Sequence, residues 1–315
     1  MRGPIELAAR APAKVNLVLR VGRRRPDGYH EIESLLAPLD LSDLVRVRIR
    51  RGRPGAVTCR VPGRPELDGP GNLAARAALA FRLRFGVRDA VAIRIDKRIP
   101  VTAGLGGGSS DAAAVIRCLA RAYGVRDRSA LAEVALSVGS DVPFFLARGA
   151  AWASGRGERL VPVRVPTIHL LLAYPRDPRL AIRAGDAYRW LDEARARSGG
   201  RRARPSRRRI SYGMIDVRHL ANDLEEPCMS RRPALRDVRA AVVGAGATSA
   251  IMSGSGPTVL GIFARRAEAL RATSAIRGAG ESGLEVHLAR TVHRQPGVTP
   301  WISPRSASSR STRKS

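Results

Sequence analysis

The segment Pro100-Val101-Thr102-Ala103-Gly104-Leu105-Gly106-Gly107-Gly108-Ser109-Ser110 packs four glycines into five residues immediately before an apolar stripe at helical spacing. A glycine string that runs into a helix N-terminus presents successive backbone N–H groups without Cβ hindrance, and the helix dipole favours an anion there. These eleven residues are therefore a candidate phosphate cradle. The plainer alternative is a tight turn in which Ser109 or Ser110 caps the helix, although a cap does not require so much glycine. Ala112, Val115, Ile116, Leu119 and Tyr123 fall on one face of the predicted helix, and Gly124 stops it. The cradle is not a P-loop, because Gly-Lys-Ser/Thr is missing, and not a Rossmann fingerprint, because Ser109 stands where that pattern needs a glycine. The His-Arg-Asp and Asp-Phe-Gly signatures of protein kinases are also absent.

Around the cradle the pattern alternates between strand and helix periods. Ala11–Leu19 reads as a strand with Ala13, Val15, Leu17 and Leu19 on one face and Lys14 and Asn16 on the other. A turn-rich stretch, Arg23–His30, precedes a second strand at Leu44–Arg50. Helices are predicted over Asn72–Phe85, from the glycine run to Tyr123, and over Arg128–Val138, with a strand at Ala90–Ile95. Asp141-Val142-Pro143 opens a short helical piece, and strands flank Gly155–Gly157. His169–Ala173 has the continuous apolar character of a buried strand and opens a second half. That half holds helices near Asp186–Ala196 and Pro233–Val243 and a second glycine cluster, Ser253-Gly254-Ser255-Gly256. The expectation is a mixed α+β chain in two lobes, 1–165 and 166–293, with a disordered basic tail over 294–315.

Composition restricts the function classes. With 315 residues and 44% hydrophobic content the chain is long enough for one large or two ordinary domains. No apolar run reaches the length of a membrane span, and the first fifteen residues lack a signal-peptide pattern, so a cytoplasmic protein without membrane association is expected. Cys59, Cys118 and Cys228 are far apart and form no Cys-x-x-Cys pair, which suggests neither disulfides nor zinc. The net charge of +29 raises the question of nucleic acid as a partner. Only Lys14, Lys97 and Lys314 among the 56 basic residues are lysine, and the arginines are spread over nearly every segment, which points to a chain-wide bias. The densest runs, Arg195–Arg209 and the Ser/Arg/Pro-rich tail, lack apolar periodicity and read as a mobile loop and a disordered end. Against that bias, a lysine inside a patterned segment hints that its compact ammonium is needed.

Three segments in order, PAKVNL (Pro12–Leu17), IPVTAGLGGGSSDAA (Ile99–Ala113) and SGSGPTVLGIF (Ser253–Phe263), resemble the three motifs of the GHMP small-molecule kinases. DGYHEIESLL (Asp27–Leu36), SVGSDVPFFL (Ser137–Leu146) and NDLE (Asn222–Glu225) narrow the resemblance to the branch acting on a cytidine diphosphate-linked methylerythritol in non-mevalonate isoprenoid synthesis. The resemblance implies a two-lobed GHMP kinase fold, with a ribosomal S5 domain 2-like N-terminal lobe and a ferredoxin-like C-terminal lobe. It implies ATP as donor with Mg²⁺, and the 2-hydroxyl of that alcohol as acceptor.

Carried onto this sequence, the resemblance makes Lys14 and Asp141 the catalytic pair. Asp141 would accept the hydroxyl proton, and Lys14 would orient the groups and neutralise charge. On their own, Lys14 also fits an exposed strand charge and Asp141 a helix N-cap. For the substrate, Asn16 shares the Lys14 face, and Tyr29 and His30 offer a ring to stack on a cytosine and an imidazole to bond it. Tyr29-His30 alone would equally be a turn with a packed aromatic. Gly254, Ser255 and Gly256 would bring backbone to the phosphates, or simply form a β-turn. Lys97 suits a strand end near the nucleotide. The loop Tyr174–Arg183 departs from the family by being charged and lacking Ser or Thr, with Tyr174 left to supply a ring to the base. Two other readings stay open: a GHMP kinase for another small alcohol such as mevalonate or homoserine, and a basic polyanion-binding protein on a retained nucleotide fold.

Overall fold

The computed structural model describes residues 3–147, 149–198, 220–278 and 283–301. Its frame is a long antiparallel hairpin of β1 (Ile5–Arg24) and β2 (His30–Pro54), in register from Ile5 opposite Ile49 to Arg24 opposite His30. The turn between them closes through Arg25 N–H donating to Tyr29 O at 2.6 Å and Gly28 N–H to Arg25 O at 3.1 Å, with Gly28 at φ +85°. Sequence periodicity finds only parts of these strands. Residues 34–39 of β2 are buried without a break, so both faces are apolar and no alternation marks them.

β2 serves two neighbours in succession. Its first third pairs with β5 (Ala151–Gly155), which pairs with β6 (Arg159–Pro162). Its last third pairs with β4 (Asp89–Asp96), beside which β3 (Val57–Arg60) runs parallel. Helices α1 (Leu73–Phe85), α2 (Gly107–Tyr123), α3 (Arg128–Val138) and the short α4 (Val142–Leu146) cover this sheet with an alanine-rich core. Asn72 and Asp127 accept N–H bonds as the caps of α1 and α3, and glycines at positive φ, Gly86 and Gly124, end α1 and α2.

The second half builds a four-stranded antiparallel sheet in the order β11 (Leu284–Arg290), β7 (His169–Pro175), β10 (Val259–Phe263), β9 (Ser249–Met252). Leu171 and Ala173 of β7 pack under α7 (Ala234–Gly244) and α8 (Arg266–Gly278). Leu170 and Leu172 face the core shared with β1, which is why β7 reads as an unbroken apolar run. Between β7 and β9 come α5 (Ala184–Arg197), β8 (Ala221–Asn222) and α6 (Glu225–Arg231).

The halves interlock through β1. β8 lies parallel to it at Val18 and Leu19, and β12 (Val298–Pro300) lies antiparallel at Leu7–Ala9. The tail expected to be disordered from 294 therefore begins as a strand: Trp301 N–H donates to Glu6 O, and the Arg46 guanidinium sits 4.1 Å over the Trp301 ring. Edge hydrogen bonds on β1 outweigh the polar composition that made this stretch look unstructured. Likewise Arg195, read as the start of a loose basic loop, lies in α5 and donates to Gly22 O and Val21 O. Ala196 and Arg197 complete α5 and Ser198 caps it; residues 199–209 of the basic run and the tail beyond 301 lie outside the described residues. No helix among the described residues is long and apolar enough to cross a membrane. Cys59, Cys118 and Cys228 are buried, free, and pushed up to about 12 by burial, so their thiols are unreactive at neutral pH.

Candidate active site

The register of β1 against β2 shifts between Pro12 and Lys14 and again between Asn16 and Val18, so two irregularities bracket Lys14 and Asn16. Such bulges re-aim side chains. Their effect corrects the predicted faces: Val18 joins the core of Ala13, Val15 and Leu17, while Leu19 turns to line the cleft that holds Lys14 and Asn16. Lys14 is buried at 6% exposure, not an exposed edge charge. Its Nζ donates to Asn16 Oδ1 at 2.5 Å, Asn16 Nδ2 donates to Ser34 Oγ at 2.8 Å, and Ser34 Oγ donates to Val18 O at 2.8 Å. This chain of bonds fixes the ammonium. Asp141 lies 3.6 Å from it at the start of α4 and makes no side-chain cap bond, so its carboxylate is left for the cleft.

The glycine loop sits beside this pair. Lys14 N–H donates to Leu105 O at 2.9 Å, which ties β1 to the loop. Gly106, at φ +69°, is the N-cap of α2, and a Cβ there would crowd Lys14 Cγ and Phe145 Cζ at 3.0 Å. The helix thus begins earlier than a Ser109 or Ser110 cap would place it. Ser110 N–H is the first to close onto the helix, 2.9 Å from Gly106 O, which leaves the N–H groups of Gly107, Gly108 and Ser109 as free donors at the positive end of α2. They border a cleft of about 550 Å³ lined by Pro100–Ser109 together with Leu67, Asn72, Leu73, Lys97 and Asp111.

Lys97 forms the floor of that cleft. Its Nζ donates to Asp43 Oδ2 at 2.6 Å and Asp111 Oδ2 at 2.9 Å, and Asp43 Oδ1 also accepts from Arg98 and Ile99 N–H. One ammonium faces two buried carboxyls. Burial drives the Asp111 carboxyl above its usual range, and Asp43 beside it adds to the rise against the pull of Lys97. Burial alone would lower Lys97, but the two carboxyls hold it up, so it stays charged.

A second cleft, about 720 Å³, begins at Lys14, Asn16, Ser109 and Asp141 and runs past Gly254 and Ser255 to Tyr29 and His30. Ser109 lines both clefts and marks where they meet, while Lys14 and Asp141 line the second. At the far end His30 is buried, stacks on Tyr188 of α5 at 5.1 Å between ring centroids, and bonds Asp192. Tyr29 is half exposed, with the Arg156 guanidinium 5.0 Å over its ring. Burial, with the Asp141 charge nearby, pushes the Tyr188 hydroxyl upward, so it remains protonated.

The structure thus gathers Lys14, Asn16, Tyr29, His30, Asp141, Gly254 and Ser255 around one cleft and Pro100–Ser109 around the other. It does not bring three predicted residues to either. Ser110 is fully buried in the helix, because position N4 points into the core. The Tyr174 hydroxyl donates to Val101 O at 3.0 Å and so braces the glycine loop from the C-terminal sheet. Gly256 faces Met252, and its carbonyl lies against Gly104. The second glycine cluster is held by Asn222, whose Nδ2 donates to Met252 O and Gly254 O. Sequence reasoning missed Tyr188, Asp192, Arg156, Asp43 and Asp111. Of these only Asp111, next to the glycine run, carried a local signal.

Two stretches match family models of the GHMP kinases, the N-terminal domain at residues 72–149 and the C-terminal domain at 214–282. The chain is 64% identical over 318 residues to the 4-diphosphocytidyl-2-C-methyl-D-erythritol kinase of Anaeromyxobacter sp. strain K, covering 99% of each. It is 40% identical over 269 residues to the enzyme of that name from Deinococcus radiodurans, covering 84% of this chain and 87% of that one. A crystal structure of 4-(cytidine 5'-diphospho)-2C-methyl-D-erythritol kinase superposes with a TM-score of 0.69 at 33% identity, over 92% of this chain and all of that one. The fold is that of a GHMP kinase, and the chain belongs to the 4-diphosphocytidyl-2-C-methyl-D-erythritol kinase family within that class.

Proposed function

We propose that the chain transfers the γ-phosphoryl group of ATP to the 2-hydroxyl of 4-diphosphocytidyl-2-C-methyl-D-erythritol, with Lys14 and Asp141 at the reacting atoms. The observation that carries this reading is their 3.6 Å approach in a long polar cleft that meets a glycine-lined anion cradle at Ser109. Phosphoryl transfer asks the protein mainly to position the nucleophile and to balance charge. The acceptor oxygen forms its bond to the γ-phosphorus as the bond to the ADP oxygen breaks, and its proton passes to Asp141. Lys14, fixed by Asn16, supplies a point charge to the moving phosphoryl group and holds the carboxylate toward the hydroxyl. The free N–H groups of Gly107, Gly108 and Ser109 meet the donor phosphates. Tyr29, His30 and Tyr188 enclose the pyrimidine.

Mg²⁺ belongs to this reading as the ion that neutralises the triphosphate. Among the described residues no three His, Cys, Asp or Glu side chains gather around a metal position, which suits an ion carried in on phosphates and water. Ser109, at the junction, is the side chain that would hold it.

A coupled assay for ADP with ATP and the cytidine-linked alcohol tests the proposal. Turnover with that alcohol, and none with mevalonate or homoserine, is the expected result. Turnover with another alcohol alone, or salt-sensitive binding of duplex nucleic acid without ATP turnover, would replace it.

A further inference from the structure

The base end of the long cleft contains an acid–imidazole pair that phosphoryl transfer does not use. His30 Nε2 lies 2.9 and 3.1 Å from the two Asp192 carboxylate oxygens. An ionised carboxylate only accepts, so Nε2 carries the proton and donates it. In the neutral ring this leaves Nδ1 as a lone-pair acceptor. Among the described residues no protein group is seen to bond Nδ1, and His30 lines the cleft. Tyr188, stacked at an interplanar angle of 21°, fixes the ring plane. The Asp192 carboxylate is committed to this bond, since the neighbouring Arg189 is taken by Asp186 at 2.6 Å and by Glu193 at 3.9 Å.

We infer that Asp192 is a specificity-determining positioning residue, which holds His30 as the Nε2–H tautomer so that Nδ1 accepts the exocyclic amino group of cytosine and repels the carbonyl of uracil. The two pyrimidines differ at this edge: cytosine donates at position 4 and uracil accepts. A ring free to exchange tautomers would meet either. Asp192 stands on α5, 162 residues from His30 in the chain, so the C-terminal half selects the base that the β1–β2 turn contacts. The inference rests on the proposed cytidine-linked substrate.

The test compares kcat/KM for the cytidine- and uridine-linked forms of the alcohol in the full chain and in Asp192→Ala and Asp192→Asn. Wild type is expected to favour cytidine, and Asp192→Ala to lose roughly 10- to 100-fold of that preference, the range for one wrongly presented base edge. Asn can rotate its amide to accept from or donate to Nε2, so Asp192→Asn should lose part of the preference even if the alanine variant folds poorly. A merely structural role would depress both substrates alike and leave their ratio unchanged, which would overturn the inference. In parallel, ¹⁵N spectra of the His30 ring at pH 8 should report Nε2–H in wild type and a tautomer mixture in Asp192→Ala. A wild-type ring protonated at Nδ1 would also overturn it. Absence of turnover with either nucleotide would defeat the functional proposal instead, while the spectra would still decide the tautomer.

Discussion

Lys14, Asn16 and Ser34 show how a strand can hold a cation in a fixed place without a buried counter-charge. The ammonium is bonded at 2.5 Å to an amide oxygen whose own nitrogen is bonded in turn, while Asp141 stays 3.6 Å away and 43% exposed. A carboxylate in that position can receive a proton without first breaking a strong ion pair. Asp141→Asn is expected to lower kcat by about 10²–10⁴-fold while ATP binding persists, as checked by steady-state kinetics beside calorimetric titration of ATP. Full turnover would remove Asp141 from the mechanism. Asn16→Ala frees the Lys14 ammonium and leaves Ser34 without its donor; kcat should fall while the fold survives, which circular dichroism alongside the assay would report. At the floor of the glycine-lined cleft, Asp111 is the acid whose proton affinity in the folded chain exceeds that in the unfolded chain. Such a group stabilises the fold below the ordinary carboxylate range and loses that contribution as pH rises. Asp111→Asn keeps the shape and the Lys97–Asp43 pair, so its Tm relative to wild type should climb with increasing pH. Lys97→Met removes the cation shared by two buried carboxyls, of which Asp43 keeps its backbone N–H bonds, and should cost about 3–5 kcal/mol in denaturant unfolding.

Among the elements, α2 shapes the glycine-lined cleft, and it does so by where it begins. Gly106 at φ +69° starts the helix one turn before the serines, which exposes three N–H donors and sends Ser110 into the core. Gly104, at φ +74°, lies against the carbonyls of Ser253 and Gly256, so the first glycine loop is packed on the second. Gly104→Ala would add both a left-handed backbone strain, about 1–2 kcal/mol, and a collision with the Ser253 carbonyl. The expected result is a lower Tm together with weaker ATP binding, whereas an effect on Tm alone would separate the loop from the nucleotide. Tyr174, expected to face the base, instead braces Val101 O from β7. β1 contributes through its irregularities, which turn Lys14, Asn16 and Leu19 toward the same cleft.

At the level of the molecule, the site exists because the halves share β1: β8 and β12 both add to it, and Asn222 reaches from β8 to the second glycine cluster. Ending the chain before Gln295 would strip the β1 edge and the Arg117 and Arg121 bonds to Pro296 O and Val298 O. A fall of several degrees in Tm is the expected outcome, and an unchanged melting curve would show that β12 adds no stability. The glycine loop, the helix periods, the Gly124 stop, the β7 run and the shared face of Lys14 and Asn16 were legible in the chain because each is a local pattern, whereas Tyr29 and His30 stood out only through resemblance to a family. Residues 34–39 of β2 and the β12 strand were not, since burial on both faces erases alternation and an edge strand needs only backbone bonds. Lys14 and Asp141 were legible as candidates through resemblance to a family, yet their approach across 127 positions depends on where α4 packs. Asp192 meeting His30, Tyr188 stacking on it, and Lys97 between Asp43 and Asp111 have no local signature at all. Local sequence sets the conformation of each segment, but a polar contact between distant segments is decided by the packing that brings them together.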